Sequence, residues 1–364
     1  MKSLPALEFK QEDKAFAEAL KSSVQNYLHE KQDHRFANSH FLFKLLLLAL
    51  IAYAFYFAAL NAHSTLSYAI LFTAFMWFTM LLSMNASHDA SHGSVFRSSS
   101  ANRWLMAACS IPMGTDPDFW TLRHVHFHHT YPNIQHYDLD MEPNPALRQA
   151  PFHDWAPQYQ YQHFYWPLVA AISLTYLCWV SDWLDRFKKT PLKKFSYLNT
   201  SGYWIKFFTL KIAHLSLLII IPAYCLQIPL WKILLICLCV QMLVSSFLVL
   251  MILGTHWADV DFFQADSENK IPHSWHRHAF LTACDWQPNP RWINHFLGGL
   301  DLHLTHHLLP GFSNRHYPEL AKTVEKLATE FDLPYRKITY PELVKHQQVF
   351  LKKMGKGRTG LVSD

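Results

Sequence analysis

FLFKLLLLALIAYAFYFAA (residues 41–59) and LSYAILFTAFMWFTMLLSM (residues 66–84) decide the fold of this 364-residue chain. As helices, each is long enough to cross the hydrocarbon core of a bilayer, which takes about 20 apolar residues. Charge enters the first block only at Lys44, near one end, where a long side chain can reach the interface. A short polar stretch, Asn61 to Thr65, separates the two, so they are expected to form an antiparallel hairpin. The arrangement recurs in FFTLKIAHLSLLIIIPAYCL (207–226) and LWKILLICLCVQMLVSSFLVLMILG (230–254), parted only by Gln227 to Pro229. Lys211, His214 and Pro222 weaken the earlier of these two, but the first two lie in its opening turns and proline is tolerated in membrane helices.

The block FYWPLVAAISLTYLCWV (164–180) would just permit a span, yet aromatic residues gather at its edges as in an interfacial belt. If it crossed, Arg186, Lys188, Lys189, Lys193 and Lys194 would face the side opposite Arg97, Arg103 and Arg123, against the positive-inside tendency. A re-entrant or surface-lying helix is therefore expected there. The expected fold is an all-α integral membrane protein with four transmembrane helices in two hairpins, both termini cytoplasmic, and a histidine-rich cytoplasmic helical cap.

Three segments follow: residues 1–40 as an N-terminal cytoplasmic amphipathic segment, 41–330 as the membrane domain, and 331–364 as a basic C-terminal cytoplasmic tail. Phe16, Leu20, Val24 and Leu28 recur at helical spacing in the first, and Leu320, Val324, Leu327 and Phe331 predict another amphipathic helix over 318–331. Lys352, Lys353, Lys356 and Arg358 make the tail basic. The net charge of +5 needs no special partner, since juxtamembrane lysine and arginine follow from orientation, and no reader motif for nucleic acid accompanies it. Six cysteines form no CxxC pair, which argues for packing rather than a disulfide frame or an iron–sulfur site. A cleavable secretory signal is not expected, because the first apolar block starts some way in and another follows at once.

Histidines crowd the polar stretches beside these blocks: His88 and His92 in HDASH, His124, His128 and His129 in HVHFHH, and His303, His306 and His307 in HLTHH. Residues i and i+4 share a helix face, so His88 with His92, His124 with His128, and His303 with His307 are each expected to converge on an ion. His129 should point about 100° away and reach a second ion, so the adjacent pairs His128–His129 and His306–His307 suit a dinuclear centre. A single zinc takes about four ligands, too few for this set. Two iron ions fit the count, and redox-active iron can gather electrons for oxygen. His256, just beyond the last block in GTHWADVDFF, is a plausible ninth ligand. His126 is expected to lie off the shared face, and His276 and His278 are weaker candidates. Asp138, Asp140 and Asp301 are expected to orient ligand imidazoles through their far nitrogens. A zinc protease is disfavoured for want of H-E-x-x-H.

HDASH, HVHFHH and GGLDLHLTHHLLPG (298–311) resemble the HxxxH, HxxxHH and HxxHH boxes of the membrane fatty acid desaturases, in their usual order and with membrane hairpins between them. The resemblance covers roughly residues 40 to 330. It implies a cytoplasmic di-iron centre held by His88, His92, His124, His128, His129, His303, His306 and His307, with His256 resembling an additional ligand. Molecular oxygen would be the co-substrate, a fatty acyl lipid or acyl-CoA the substrate, and a cis double bond the product. Electrons would come from an external donor such as ferredoxin or cytochrome b5, since no His-Pro-Gly-Gly haem signature is visible. The implied setting is a bacterial inner membrane or an endoplasmic-reticulum-type membrane, with the active site on its cytoplasmic face. The glycine pair and HHLLP resemble the front-end and acyl-lipid branches, although many front-end members have glutamine where this chain has His303. The runner-up is a related membrane di-iron hydroxylase of fatty acids or hydrocarbons, whose box patterns fit less closely.

Overall fold

The computed structural model describes residues 7–10 and 13–356 and is mostly helical. Among the described residues, five helices are long and apolar enough to cross a membrane: Ser39–Leu60, Thr65–Ser91, Pro157–Lys194, Ser201–Cys225 and Leu230–His256. Four contain the blocks expected to span. The other contains residues 164–180, for which a surface helix was expected; by length and composition it qualifies as well. The chain divides into two compact units, one formed by residues 37–121 and 170–249, the other by the remaining described residues.

In the first unit, Ser39–Leu60 and Thr65–Leu82 form the expected hairpin. Asn38 starts one helix by accepting the Phe41 N–H, and Ser64 starts the other through a capping box with Ser67. Tyr56, Tyr68, Phe72, Phe75 and Met76 are buried, whereas Phe43, Leu50, Phe57, Leu66 and Ile70 are exposed. An outward face this apolar has lipid as its natural solvent.

Charge is buried in this unit too. Lys211 and His214, read as opening-turn residues, are both buried. The Lys211 ammonium donates to the carbonyls of Gly114 and Cys178, each at 2.5 Å, and to Asp182 Oδ2 at 2.8 Å. Asp182 also accepts the Asp116 N–H, and Arg186 bonds Asp116 Oδ2 through Nε and Nη2 at 2.9 and 2.6 Å. Gly114, at φ +79°, makes room for the network: a Cβ there would lie 2.5 Å from Cys178 Sγ and 2.8 Å from the His214 ring.

In the second unit, helix Lys14–Glu30 buries Phe16, Leu20 and Val24 in one core with Leu320, Val324 and Leu327 of helix Tyr317–Glu330. Both amphipathic helices were expected. The all-α expectation is corrected by two short parallel pairs, Glu8–Phe9 with Lys270–Ile271 and Asp285–Gln287 with Lys337–Thr339. Strands of two or three residues are too short to display an alternating pattern. The stretch read as a basic tail carries helix Tyr340–Gly355, started by a Thr339/Glu342 capping box. Lys352 and Lys353 are exposed on it while Leu343, Leu351 and Met354 are buried; Arg358 lies outside the described residues. Leu343 packs so closely on Gly254 that a Cβ there would approach within 2.6 Å.

Removing one member of a buried ion pair strands the other in a poor solvent, at a cost of about 3–5 kcal/mol. Lys211→Ala is therefore expected to lower the melting temperature of the detergent-solubilised protein sharply, whereas Lys206→Ala, which breaks the more exposed pair with Asp118, lowers it little. Equal melting of all three proteins would show that the buried pair does not stabilise the unit.

Candidate metal centre

The first two histidine boxes lie at or beside π turns, and the third lies on a regular α-helix. In the first unit, a π turn over Ser83–Ser87 precedes His88–Ser91, and the His88 and His92 rings lie 5.3 Å apart. The second box occupies another π segment, Leu122–His128. This corrects its expected register. A wider turn brings i and i+5 into line, so the His129 N–H bonds to the His124 carbonyl and their Nε2 atoms lie 3.2 Å apart. By its Nε2, His124 meets His129, while its ring still stacks on His128 at a centroid distance of 5.4 Å and the two form a further group with Asp140. The third box is an α-helix, His303–Leu308, and there the expected i, i+4 partners meet: His303 and His307 have Nε2 atoms 3.2 Å apart. His306 turns away from them and brings its Nε2 to 3.0 Å from that of His129.

Two groups of imidazoles result within the second unit. One contains His128, His256, His303 and His307, all buried, with ligand atoms within 4.8 Å of one another. His256 Nε2 is 3.1 Å from His128 Nε2 and 2.7 Å from His303 Nε2. The other contains His124, His129 and His306. Each adjacent pair, His128–His129 and His306–His307, is divided between the two groups.

Hydrogen bonds at the far ring nitrogens fix how some of these imidazoles face their groups. The Thr282 carbonyl can only accept, so His256 Nδ1, 2.8 Å away, carries a proton and Nε2 presents a lone pair in the neutral ring. His128 Nδ1 lies 3.1 Å from both oxygens of Asp138, which also accepts the N–H groups of Asn133 and Asp140. His306 Nδ1 lies 2.8 Å from the Tyr317 hydroxyl. Lone pairs aimed at one another around 3 Å repel unless a proton or a metal cation lies between them. Nitrogens bound to one first-row metal ion at about 2.1 Å are themselves roughly 3 Å apart at neighbouring positions. Donor type, direction and spacing all fit a metal ion.

The electrostatics agree. Burial pushes the His128 imidazole down, but Asp138 outweighs burial and the group rises to about 9. Burial, then the neighbouring imidazoles His128 and His303 respectively, drive His256 and His307 well below the ordinary histidine value.

Asp138 makes the expected contact with the far nitrogen of His128. Asp140 lies farther off, 3.6 Å from His124 Nδ1. Asp301 contributes its carbonyl to the Trp286 N–H, and burial pushes its carboxyl up to about 7. His126 is exposed. His276 packs edge-on against Phe16, and His278 bonds to His273 and the Pro132 carbonyl. Tyr317 and Thr282 were not anticipated, since Thr282 acts through its backbone and nothing local marks Tyr317. The one clue to Tyr317 was the glycine pair: Gly299 has φ +81°, and a Cβ there would lie 2.5 Å from the Tyr317 ring.

The sequence model of the family described as "Fatty acid desaturase" matches residues 63–339. An acyl-lipid (8-3)-desaturase of Physcomitrium patens is 24% identical over 94% of this chain and 72% of its own length. A probable Delta(5) fatty acid desaturase C of Dictyostelium discoideum is 26% identical over 76% of this chain and 61% of its own. An sn-1 linoleoyl-lipid 6-desaturase of Synechocystis is 25% identical over 75% and 77%.

Loss of a group that orients a metal-binding imidazole typically weakens metal affinity about 10–100-fold. Asp138→Ala is expected to lose affinity on that scale in a metal titration of the purified protein, and His126→Ala to leave it unchanged. Undiminished binding in Asp138→Ala would contradict the orienting role.

Proposed function

This chain belongs to the fatty acid desaturase family, and we propose that it introduces a cis double bond into the fatty acyl chain of a lipid or acyl-CoA with a di-iron centre and molecular oxygen. The observation that carries this reading is the division of adjacent histidines between two imidazole groups. We propose His88, His92, His124, His128, His129, His256, His303, His306 and His307 as the iron ligands; for His88 and His92 the support is the box pattern. An unactivated methylene offers no acidic proton, so a side-chain base cannot start the reaction, and bound iron supplies the oxidising chemistry. Two substrate hydrogens, one O2, two electrons and two protons then balance an alkene and two waters.

The chain's own residues prepare that chemistry. Asp138, the Thr282 carbonyl and Tyr317 hold three imidazoles by Nδ1 and turn Nε2 inward. Burial of His128, His129, His256, His303, His306 and His307 keeps bulk water from the metal-facing atoms. Placement of the acyl chain within fractions of an ångström decides between removal of a second hydrogen and transfer of oxygen, so the supporting shell matters as much as the ligands.

The proposed topology has four spans with residues 164–180 at the interface, a cytoplasmic active site and an external electron donor such as ferredoxin or cytochrome b5. Residues 1–40 and 331–364 are assigned as flanking cytoplasmic segments and 41–330 as the desaturase domain, in a bacterial inner membrane or an endoplasmic-reticulum-type one. The basic loop 186–194 supports this topology through the positive-inside tendency.

Cells expressing the chain are expected to gain fatty acids lacking two hydrogens, located by fragmentation in mass spectrometry, and cells expressing His306→Ala to gain none while inserting the protein normally. A His306-dependent gain of one oxygen would replace desaturation by hydroxylation. For the topology, reporters fused after Ser100 and after Lys194 are expected to report the same side; opposite sides would make residues 164–180 a span.

A further inference from the structure

Helix His303–Leu308 presents three of the converging imidazoles from only six residues, and no side chain of its own caps its start. First-turn amides lack acceptors inside a helix, and so short a helix has little internal bonding to fix its position. The missing acceptor comes from far upstream. Asp285 Oδ1 accepts the Leu304 N–H at 2.8 Å and the Thr305 N–H at 3.2 Å, while Oδ2 accepts the Thr305 hydroxyl at 2.8 Å and the Tyr335 hydroxyl at 3.0 Å. The carboxylate is fully buried.

Asp285 is itself anchored from both sides. Its N–H donates to the Arg336 carbonyl, its strand pairs with Lys337–Thr339, and the Trp286 N–H donates to the Asp301 carbonyl at 2.7 Å. The short strand thus holds the chain entering the helix, and the carboxylate holds the helix's first amides. Because His303 and His307 serve one imidazole group and His306 the other, any rotation of the helix moves both groups together.

We propose that Asp285 is a positioning residue that caps helix 303–308 from outside and thereby sets the register of His303, His306 and His307. The assignment rests on the metal-centre reading. It predicts an effect through geometry and not through ligation, since Asp285 contacts the helix at Leu304 and Thr305.

The test is release of bound iron to a chelator from the purified full chain, followed alongside melting temperature and the alkene-to-alcohol ratio of the products. Asp285→Ala is expected to release iron about tenfold faster or more. Asp285→Asn, whose carbonyl can still accept both amides while its NH2 donates to the two hydroxyls, is expected to stay within about twofold of the parent on the same scale. Should Asp285→Ala fail to fold, Asp285→Glu takes its place, because one added methylene displaces the carboxylate from the amides; faster release is expected there also. Parent-like release from the folded displacing variant, or equal damage in Asp285→Asn, would overturn the proposal. A parent protein that binds iron yet forms no alkene would instead overturn the desaturase reading, and iron release would still judge Asp285.

Discussion

Much of the second unit follows from one electrostatic constraint: imidazole lone pairs brought within about 3 Å of one another are tolerable only with a proton or a metal cation between them. Every orienting contact described at the far nitrogens serves that convergence. A carbonyl at His256, a carboxylate at His128 and a phenol hydroxyl at His306 differ in chemistry, but each keeps Nδ1 engaged and Nε2 directed into its group. Only Asp138 is a carboxylate, and it faces the imidazole whose affinity for positive charge is raised. With two of these three contacts made by neutral groups, less negative charge is buried against the imidazoles.

The first unit meets the opposite requirement, since its outer surface faces lipid and its charges must be satisfied internally. Lys211 is held by two carbonyls and a carboxylate, and Arg186 spends two donors on Asp116. Such an arrangement is costly to desolvate and therefore weak as a source of net stability. The network ties a loop carbonyl at Gly114 and a helix carboxylate at Asp182 to the same ammonium. The closeness of Gly114 to Cys178 and His214 adds a steric constraint.

The hairpins and the amphipathic helices were legible because apolar runs and helical periodicity persist over many residues. Histidine spacing likewise revealed the splitting of adjacent ring pairs. What escaped had short-range or non-local causes. The pairing of His124 with His129 depends on a π segment, and no residue pattern in LRHVHFH distinguishes that from an α-helix. Thr282 acts through a backbone oxygen, while Tyr317 and Asp285 reach the site by tertiary contact. The inward placement of Lys211 defied the interfacial reading because its partners, Gly114 and Cys178, are distant in sequence.

The π turns explain how one short segment can serve two groups. In a regular α-helix, i and i+4 share a face, and the second box would offer His124 and His128 to the same ion. Widening the turn hands His124 to His129 and releases His128 toward His256 and His303. The third box keeps α geometry, so His303 and His307 remain together and His306 is the one that departs. Boxes with different helical pitch therefore contribute in complementary ways, two rings from the second box meeting one from the third and one from the second meeting two from the third. A uniform α pitch in both would put two ligands from each on one group and one on the other. The local departure from regular helix is thus what shares the imidazoles of the second box between the two groups.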